Sequence, residues 1–227
     1  MRQDIKVAVD AVVFGYDQEQ GISVLLIKRK IEPFKKMWAL PGGLVLNDES
    51  LDNAVQRELH EEAGIDVSFL EQLYTFGSPD RDPRNRVLSI SYFGLVRPND
   101  FELMARTDAE DVAWFNIARL PQLAFDHKKI VEVAIARLRG KITYEPVGFE
   151  LLDKEFPFSD LEDLYQTLLD HPIDRRNFKK KISSLGILET LNKTVQRGAG
   201  RPARLFRFNK KKYFELKDKG YNFDFFS

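Results

Sequence analysis

Gly43-Leu44-Val45-Leu46-Asn47-Asp48-Glu49-Ser50-Leu51-Asp52-Asn53-Ala54-Val55-Gln56-Arg57-Glu58-Leu59-His60-Glu61-Glu62-Ala63-Gly64-Ile65 is the stretch that decides how this chain is read. It consists of a glycine turn, a loop, one helix and a stop. Asp48 or Ser50 can cap the helix, because a short side-chain oxygen there accepts an N–H that no carbonyl of the helix reaches. Gly64 supplies the left-handed residue that ends it. Leu51, Val55, Leu59 and Ala63 recur every fourth residue and define a buried stripe.

The carboxylates of that helix carry the chemistry. On a wheel of about 100° per residue with Leu51 at zero, Glu62 falls at about 20°, Glu58 at about 340° and Glu61 at about 280°. Two or three acids therefore point to the buried side or its edge, where an unpaired charge is costly and needs a cation or a raised pKa. Hard oxygen ligands three and four residues apart suit Mg²⁺ or Mn²⁺, and Arg57 can hold a carboxylate by a bidentate bond. Asp52, at about 100°, also flanks the stripe, so the wheel alone leaves an ordinary solvated face open. Just upstream, paired glycines Gly42-Gly43 let backbone approach a ligand, and the Gly43 carbonyl can itself meet a metal.

With 227 residues, 43% of them hydrophobic, the chain can bury one large core or two small ones. No apolar run approaches the roughly 20 residues of a membrane span, and the charged N-terminus lacks a signal-peptide pattern. The absence of cysteine excludes disulfides and thiolate metal sites and fits a reducing compartment, so the cytoplasm is the expected location. A net charge of zero conceals a polarity: residues 171–227 hold 15 of the 35 Lys+Arg but 5 of the 35 Asp+Glu. An acidic body followed by a basic tail suggests two jobs.

Along the chain, β-branched residues predict strands over 5–14, 22–27, 69–76, 87–96 and 112–115, and an amphipathic helix over 126–138. The loop 77–86 carries Asp80, Arg81, Arg84 and Arg86. It reads either as a solvated hairpin or as a phosphate or ribose clamp, since arginine forks match phosphate oxygens. Gly140–Gly148 is the expected domain boundary. Beyond it, Ser159-Asp160-Leu161-Glu162 reads as a capping box opening one helix, and Asp174 caps a second. The second helix turns Phe178, Ile182 and Leu185 inward and Arg175, Arg176, Lys179, Lys180 and Ser183 outward. Strands 188–196 and 204–208 then flank the basic tip Arg197-Gly198-Ala199-Gly200-Arg201-Pro202. This is the order of a winged helix-turn-helix, with a helix for the major groove and arginines for adjacent phosphates; a solvated lysine-rich surface is the alternative.

Gly43, Glu49, Arg57-Glu58-Leu59, Glu61-Glu62 and Gly64-Ile65 resemble the Nudix box at every defined position. The resemblance implies an α/β fold, an α/β/α sandwich around a mixed sheet over residues 1–145. It implies cleavage of a nucleoside diphosphate linked to another moiety. Carried onto these positions, Glu58, Glu61 and Glu62 ligate Mg²⁺ or Mn²⁺ with the Gly43 carbonyl, Arg57 orients the acids, and Glu49 supports it. Glu58 is the candidate general base, with Glu110 and Asp111 as others. The whole chain is similar to the Nudix-related transcriptional regulators, in which a winged helix (here 149–227) follows the Nudix domain. Segments 78–84, 124–127, 148–152, 174–181 and 200–203 carry this similarity. It implies a homodimeric repressor that meets a double-stranded operator through Arg175, Arg176, Lys179, Lys180, Arg197 and Arg201. It also implies that ADP-ribose or a related NAD-derived nucleotide, gripped by Asp80, Arg81, Arg84 and Arg86, releases the DNA. Two other readings stand beside it: an ADP-ribose pyrophosphatase that is an enzyme first, and a sugar-responsive, arabinose-type repressor without catalysis.

Overall fold

Lys6-Val-Ala-Val-Asp-Ala-Val-Val-Phe-Gly-Tyr-Asp17 forms β1, a strand whose apolar residues are buried on both faces. Such a run belongs at the centre of a sheet covered on two sides. In the computed structural model, which describes residues 4–105, 108–197, 200–221, 223, 225 and 226, it does sit there. β1 pairs antiparallel with β2 (Gly21–Arg29) and parallel with β6 (Val87–Val96), so the sheet is mixed. β3 (Trp38–Ala39) and β7 (Ala109–Asn116) add to β2, β4 (Gly42–Leu44) adds to β1, and β5 (Leu70–Phe76) adds to β6.

The helix α1 (Leu51–Ala63) starts and stops as its sequence dictates: Ser50 accepts from the Asn53 N–H, and Gly64 takes φ 72°. Its Ala54, Val55, Leu59 and Ala63 pack on Val9, Ala11, Val13 and Leu25 of the sheet. A second helix, α2 (His127–Lys141), buries Ile130, Val131 and Ala134. The chain divides into two compact units after Arg137, so α2 begins in the first unit and runs past its end. The boundary expected at Gly140–Gly148 therefore opens inside a helix, where a side chain at Gly140 would meet no neighbour.

In the second unit a short strand β8 (Phe156–Pro157) leads into α3 (Phe158–Leu169) and α4 (Arg175–Ser184). A hairpin of β9 (Leu188–Val195) and β10 (Ala203–Phe208) follows, then α5 (Lys210–Asp218). β8 pairs with β10, completing the three-stranded wing sheet. Its core is aromatic: Tyr165, Phe156 and Phe178 are fully buried, and Phe149 stacks on Phe208 at 4.2 Å. One local expectation is corrected. Ser159 does not cap α3; the helix starts one residue earlier behind Pro157, whose fixed φ suits a helix entry, and the Ser159 hydroxyl bonds Asp160. Asp174 does cap α4, accepting from Asn177 N–H.

Candidate functional site

Arg57 organises the acids of α1. Its Nε and Nη2 donate to Glu49 Oε2 and Oε1 at 3.0 and 2.7 Å, a bidentate grip that drops the Glu49 pKa to about 2. Its Nη1 donates to Glu58 at 2.8 Å and to Glu61 at 3.2 Å, and Nη2 also reaches the Leu44 carbonyl. Glu49 accepts in turn from the Leu46 N–H, so the loop before the helix is tied to the helix itself.

Glu62 faces the other way. It is 5% exposed and accepts from the Gly42 N–H at 2.8 Å. Burial, with Glu58 nearby, pushes its pKa up to about 8. Burial also raises Glu58, against the pull of Arg57. A Cβ on Gly42 would strike the Val9 carbonyl and has no room, whereas one on Gly43 would meet the carboxylate end of Glu58 and have to push it aside. The two glycines are thus packed against Glu58 and β1.

These oxygens fit a hard divalent cation by chemistry: a buried and a half-buried carboxylate, both with raised pKa, beside a tight glycine turn. They are not drawn together as a cage. Among the described residues no three carboxylate or imidazole groups cluster closely enough to hold an ion, since Glu58 and Glu61 turn to Arg57 while Glu62 turns to Gly42.

Glu58 and Glu62 form one wall of a cavity of about 310 Å³, and Arg29, Arg81 and Arg84 stand among its other linings. Of the loop residues expected there, Arg81 and Arg84 line it. Arg86 and Asp80 do not: Arg86 closes the loop by donating to the Gly77 and Ser78 carbonyls, and Asp80 is held by the Ser78 hydroxyl. Nor do Glu110 or Asp111; the acid from that region is Asp108. Arg81 is a buried strut. Its Nε and Nη2 take Asp126 at 3.1 and 2.7 Å, and Nη2 also takes Asp10 at 3.2 Å. Burial pulls this guanidinium down, but Asp126 and Asp10 outweigh it and hold its pKa above the ordinary value. Arg84 grips Asp82 through Nε and Nη2.

Sequence reasoning missed Asp10, Arg29 and His127 as site residues. Asp10 accepts from Ser89 and Arg81 and lies 3.5 Å from His127 Nε2. His127 Nδ1 accepts from the Leu40 N–H at 2.8 Å, which fixes the proton on Nε2, facing Asp10. Arg29 stacks 4.9 Å over Phe125, and its buried Nη2 finds no hydrogen-bond partner among the described residues. Asp10 and Arg29 looked like ordinary strand residues; His127 sat in a stretch noted for its resemblance, with no spacing that assigned it a role.

In the winged unit, Arg176, Lys179, Lys180 and Arg201 have no carboxylate partner among the described residues. Arg175 is paired with Glu162 and Arg197 with Asp160. Gly198 and Ala199 of the basic tip lie outside the described residues.

No helix among the described residues is long and apolar enough to cross a membrane. The NUDIX domain model matches residues 4–134, and the model described as the NrtR DNA-binding winged helix domain matches residues 148–208. The chain is 32% identical over 219 residues to the ADPR responsive transcriptional repressor NtrR of Acinetobacter baylyi, covering 95% of this chain and 84% of that protein. It is 43% identical over 126 residues to an ADP-ribose pyrophosphatase of Methanocaldococcus jannaschii, covering 56% of this chain and 70% of the relative. Its fold is similar to that of Shewanella oneidensis NrtR in complex with a 27mer DNA, with a TM-score of 0.78 and 30% identity over 95% of this chain and 96% of that one. A Nudix box intact at every position, a winged helix behind it and relatives that share both along nearly their whole length leave one assignment: the chain belongs to the NrtR family of Nudix proteins that carry a DNA-binding winged helix.

Proposed function

We propose that the chain is a transcriptional repressor that holds double-stranded DNA as a homodimer and lets go when its Nudix cavity takes ADP-ribose or a related NAD-derived nucleotide. The reading assigns nucleotide to residues 1–145 and DNA to residues 149–227, in the cytoplasm. One observation carries it: a single cavity is lined by half-buried Glu58 and buried Glu62 together with Arg29 and Arg84, in a chain that also has a winged helix with a basic reading helix. A diphosphate needs both kinds of group, cations of the protein for its oxygens and acids for the metal that accompanies it. The relatives named for ADP-ribose and solved with DNA support the same pairing.

Within the site the roles divide. Arg29, whose Nη2 lacks a hydrogen-bond partner among the described residues, and Arg84 bind the diphosphate oxygens. Arg81 holds the loop 77–86 against Asp10 and Asp126 so that Arg84 is presented. Glu58, Glu61, Glu62 and the Gly43 carbonyl would hold Mg²⁺ or Mn²⁺, and Arg57 with Glu49 orients those acids. When bound, the metal neutralises the diphosphate and lowers the pKa of a water. Glu58 accepts a proton at Oε2, the oxygen that Arg57 leaves unengaged. On DNA, Arg176, Lys179 and Lys180 of α4 enter the major groove and Arg201 meets phosphate.

The test is a mobility-shift assay on DNA upstream of NAD-synthesis genes. ADP-ribose is expected to release the protein, and arabinose to leave it bound; release by arabinose alone would move the reading to a sugar sensor. The second reading, an ADP-ribose pyrophosphatase first, is favoured by the unbroken acid set. It predicts Mg²⁺-dependent formation of AMP, lost in Glu62→Gln.

A further inference from the structure

Two of the six cations expected to meet DNA are already held by carboxylates rooted in α3. Arg197, just past the end of β9, places Nη1 and Nη2 on Asp160 Oδ1 and Oδ2 at 2.5 and 2.9 Å. Arg175, the first residue of α4, places Nε and Nη2 on Glu162 Oε2 at 3.2 and 2.9 Å. The acids are the fixed partners: the Asp160 and Glu162 side chains are 8% and 11% exposed, whereas those of Arg197 and Arg175 are 47% and 61% exposed. Asp160 also lies in the first turn of α3, where the helix dipole favours a negative charge.

A guanidinium locked to a carboxylate brings no net charge to DNA and displaces no counterion from it. Phosphate contacts carry no sequence information: a free arginine on a long stem can meet a phosphate wherever a non-specific complex happens to sit, whereas a complex seated on its matched base edges offers it a phosphate only if that one placement does. We propose that Asp160 and Glu162 are positioning residues that set DNA discrimination: by holding Arg197 and Arg175 they withhold two cations from indiscriminate phosphate binding and leave the reading to Arg176, Lys179, Lys180 and Arg201. The inference rests on the DNA-binding reading above.

The test follows full-length protein by fluorescence anisotropy across a potassium chloride series. The probes are two duplexes of about 30 base pairs, roughly three helical turns: one selected by the unmodified chain from a random pool, the other its scrambled counterpart. Asp160→Asn and Glu162→Gln are each expected to steepen the log–log salt slope on the scrambled duplex by about 0.9 per arginine released. Each also brings the two affinities severalfold closer. Removing both partners, Asp160→Asn with Arg197→Gln, is expected to restore the original slope. A slope unchanged or shallower in both acid-to-amide variants overturns the proposal. So does a loss of slope in Arg175→Gln or Arg197→Gln as large as that in Arg176→Gln, a comparison that touches only exposed side chains and therefore stands if the amide variants fail to fold. A purely structural role would lower the melting temperature and weaken both duplexes in proportion, which also overturns it. Should the unmodified chain select no duplex, the DNA-binding reading fails first and this inference goes with it.

Discussion

Glu62 is a carboxylate kept where a carboxylate is costly. Its pKa of about 8, against an ordinary 4.5, means that the folded chain holds a proton there that the unfolded chain has released at neutral pH. Stability from this group is therefore present at low pH and lost as pH rises from about 4.5 through 8. Glu62→Gln keeps an acceptor for the Gly42 N–H and removes the charge. It is expected to stabilise the metal-free protein at pH 7 by about 1–3 kcal/mol, read as a higher melting temperature in EDTA, and to weaken Mg²⁺ binding. A lower melting temperature would show that the charge is compensated. His127 runs the other way. Burial lowers its pKa below the ordinary 6.5, with Asp10 opposing, so the unfolded chain takes up the proton first. Its stability is whole above pH 6.5 and declines below it. The acid-side fall in melting temperature should flatten in His127→Gln, and an unchanged pH profile would assign the acid limb to other groups. The acids of α1 were legible because helical spacing forces Glu58 and Glu62 toward the stripe. His127 was not, because its partners Leu40 and Asp10 lie far away in sequence, and no local pattern encodes such a meeting.

Elements show the same division. α1 could be read to the residue at its end and to two candidates, Asp48 and Ser50, at its start, since side-chain caps and a left-handed glycine are local devices. β6 was legible to its end residues because a run of β-branched and aromatic residues is bounded by polar ones. β8 escaped notice: two residues have no period, and Phe156-Pro157 becomes a strand only because β10 offers its edge. The loop 77–86 read by composition as either a solvated hairpin or a phosphate clamp, and its arginines divide between lining and bracing, a choice set by Asp10 on β1 and Asp126 before α2. Arg81 anchors that element. Arg81→Ala would leave Asp10 and Asp126 facing each other without their cation, a change expected to cost about 3–5 kcal/mol. Chemical denaturation measures it, and a loss below about 1 kcal/mol, the size of an exposed pair, would mean that water reaches the cluster freely. Gly43→Ala is the complementary test at the turn. The added Cβ must displace Glu58, so Mg²⁺ affinity is expected to drop at least tenfold with little change in the melting temperature of the winged unit.

For the whole molecule, sequence alone announced two jobs through its charge polarity, with the excess cations carried beyond residue 171. What sequence could not announce is whether the nucleotide is only sensed or also destroyed. The two outcomes differ in time rather than in affinity. With an intact acid set, ADP-ribose added with Mg²⁺ should release DNA and then be consumed, so that the complex re-forms as AMP accumulates. In Glu62→Gln the cavity keeps Arg29 and Arg84 for the diphosphate while hydrolysis stops, so release should persist for as long as ADP-ribose remains. The measurement is one anisotropy trace per protein, with and without EDTA, beside an assay for AMP. Rebinding in the unmodified chain, absent in the variant and in EDTA, identifies a sensor that resets itself. Sustained release in both proteins means that the box binds without turning over and that the acids serve only to seat the metal-bound ligand. No release in either would separate the cavity from the DNA altogether and leave the winged helix to be regulated by something else.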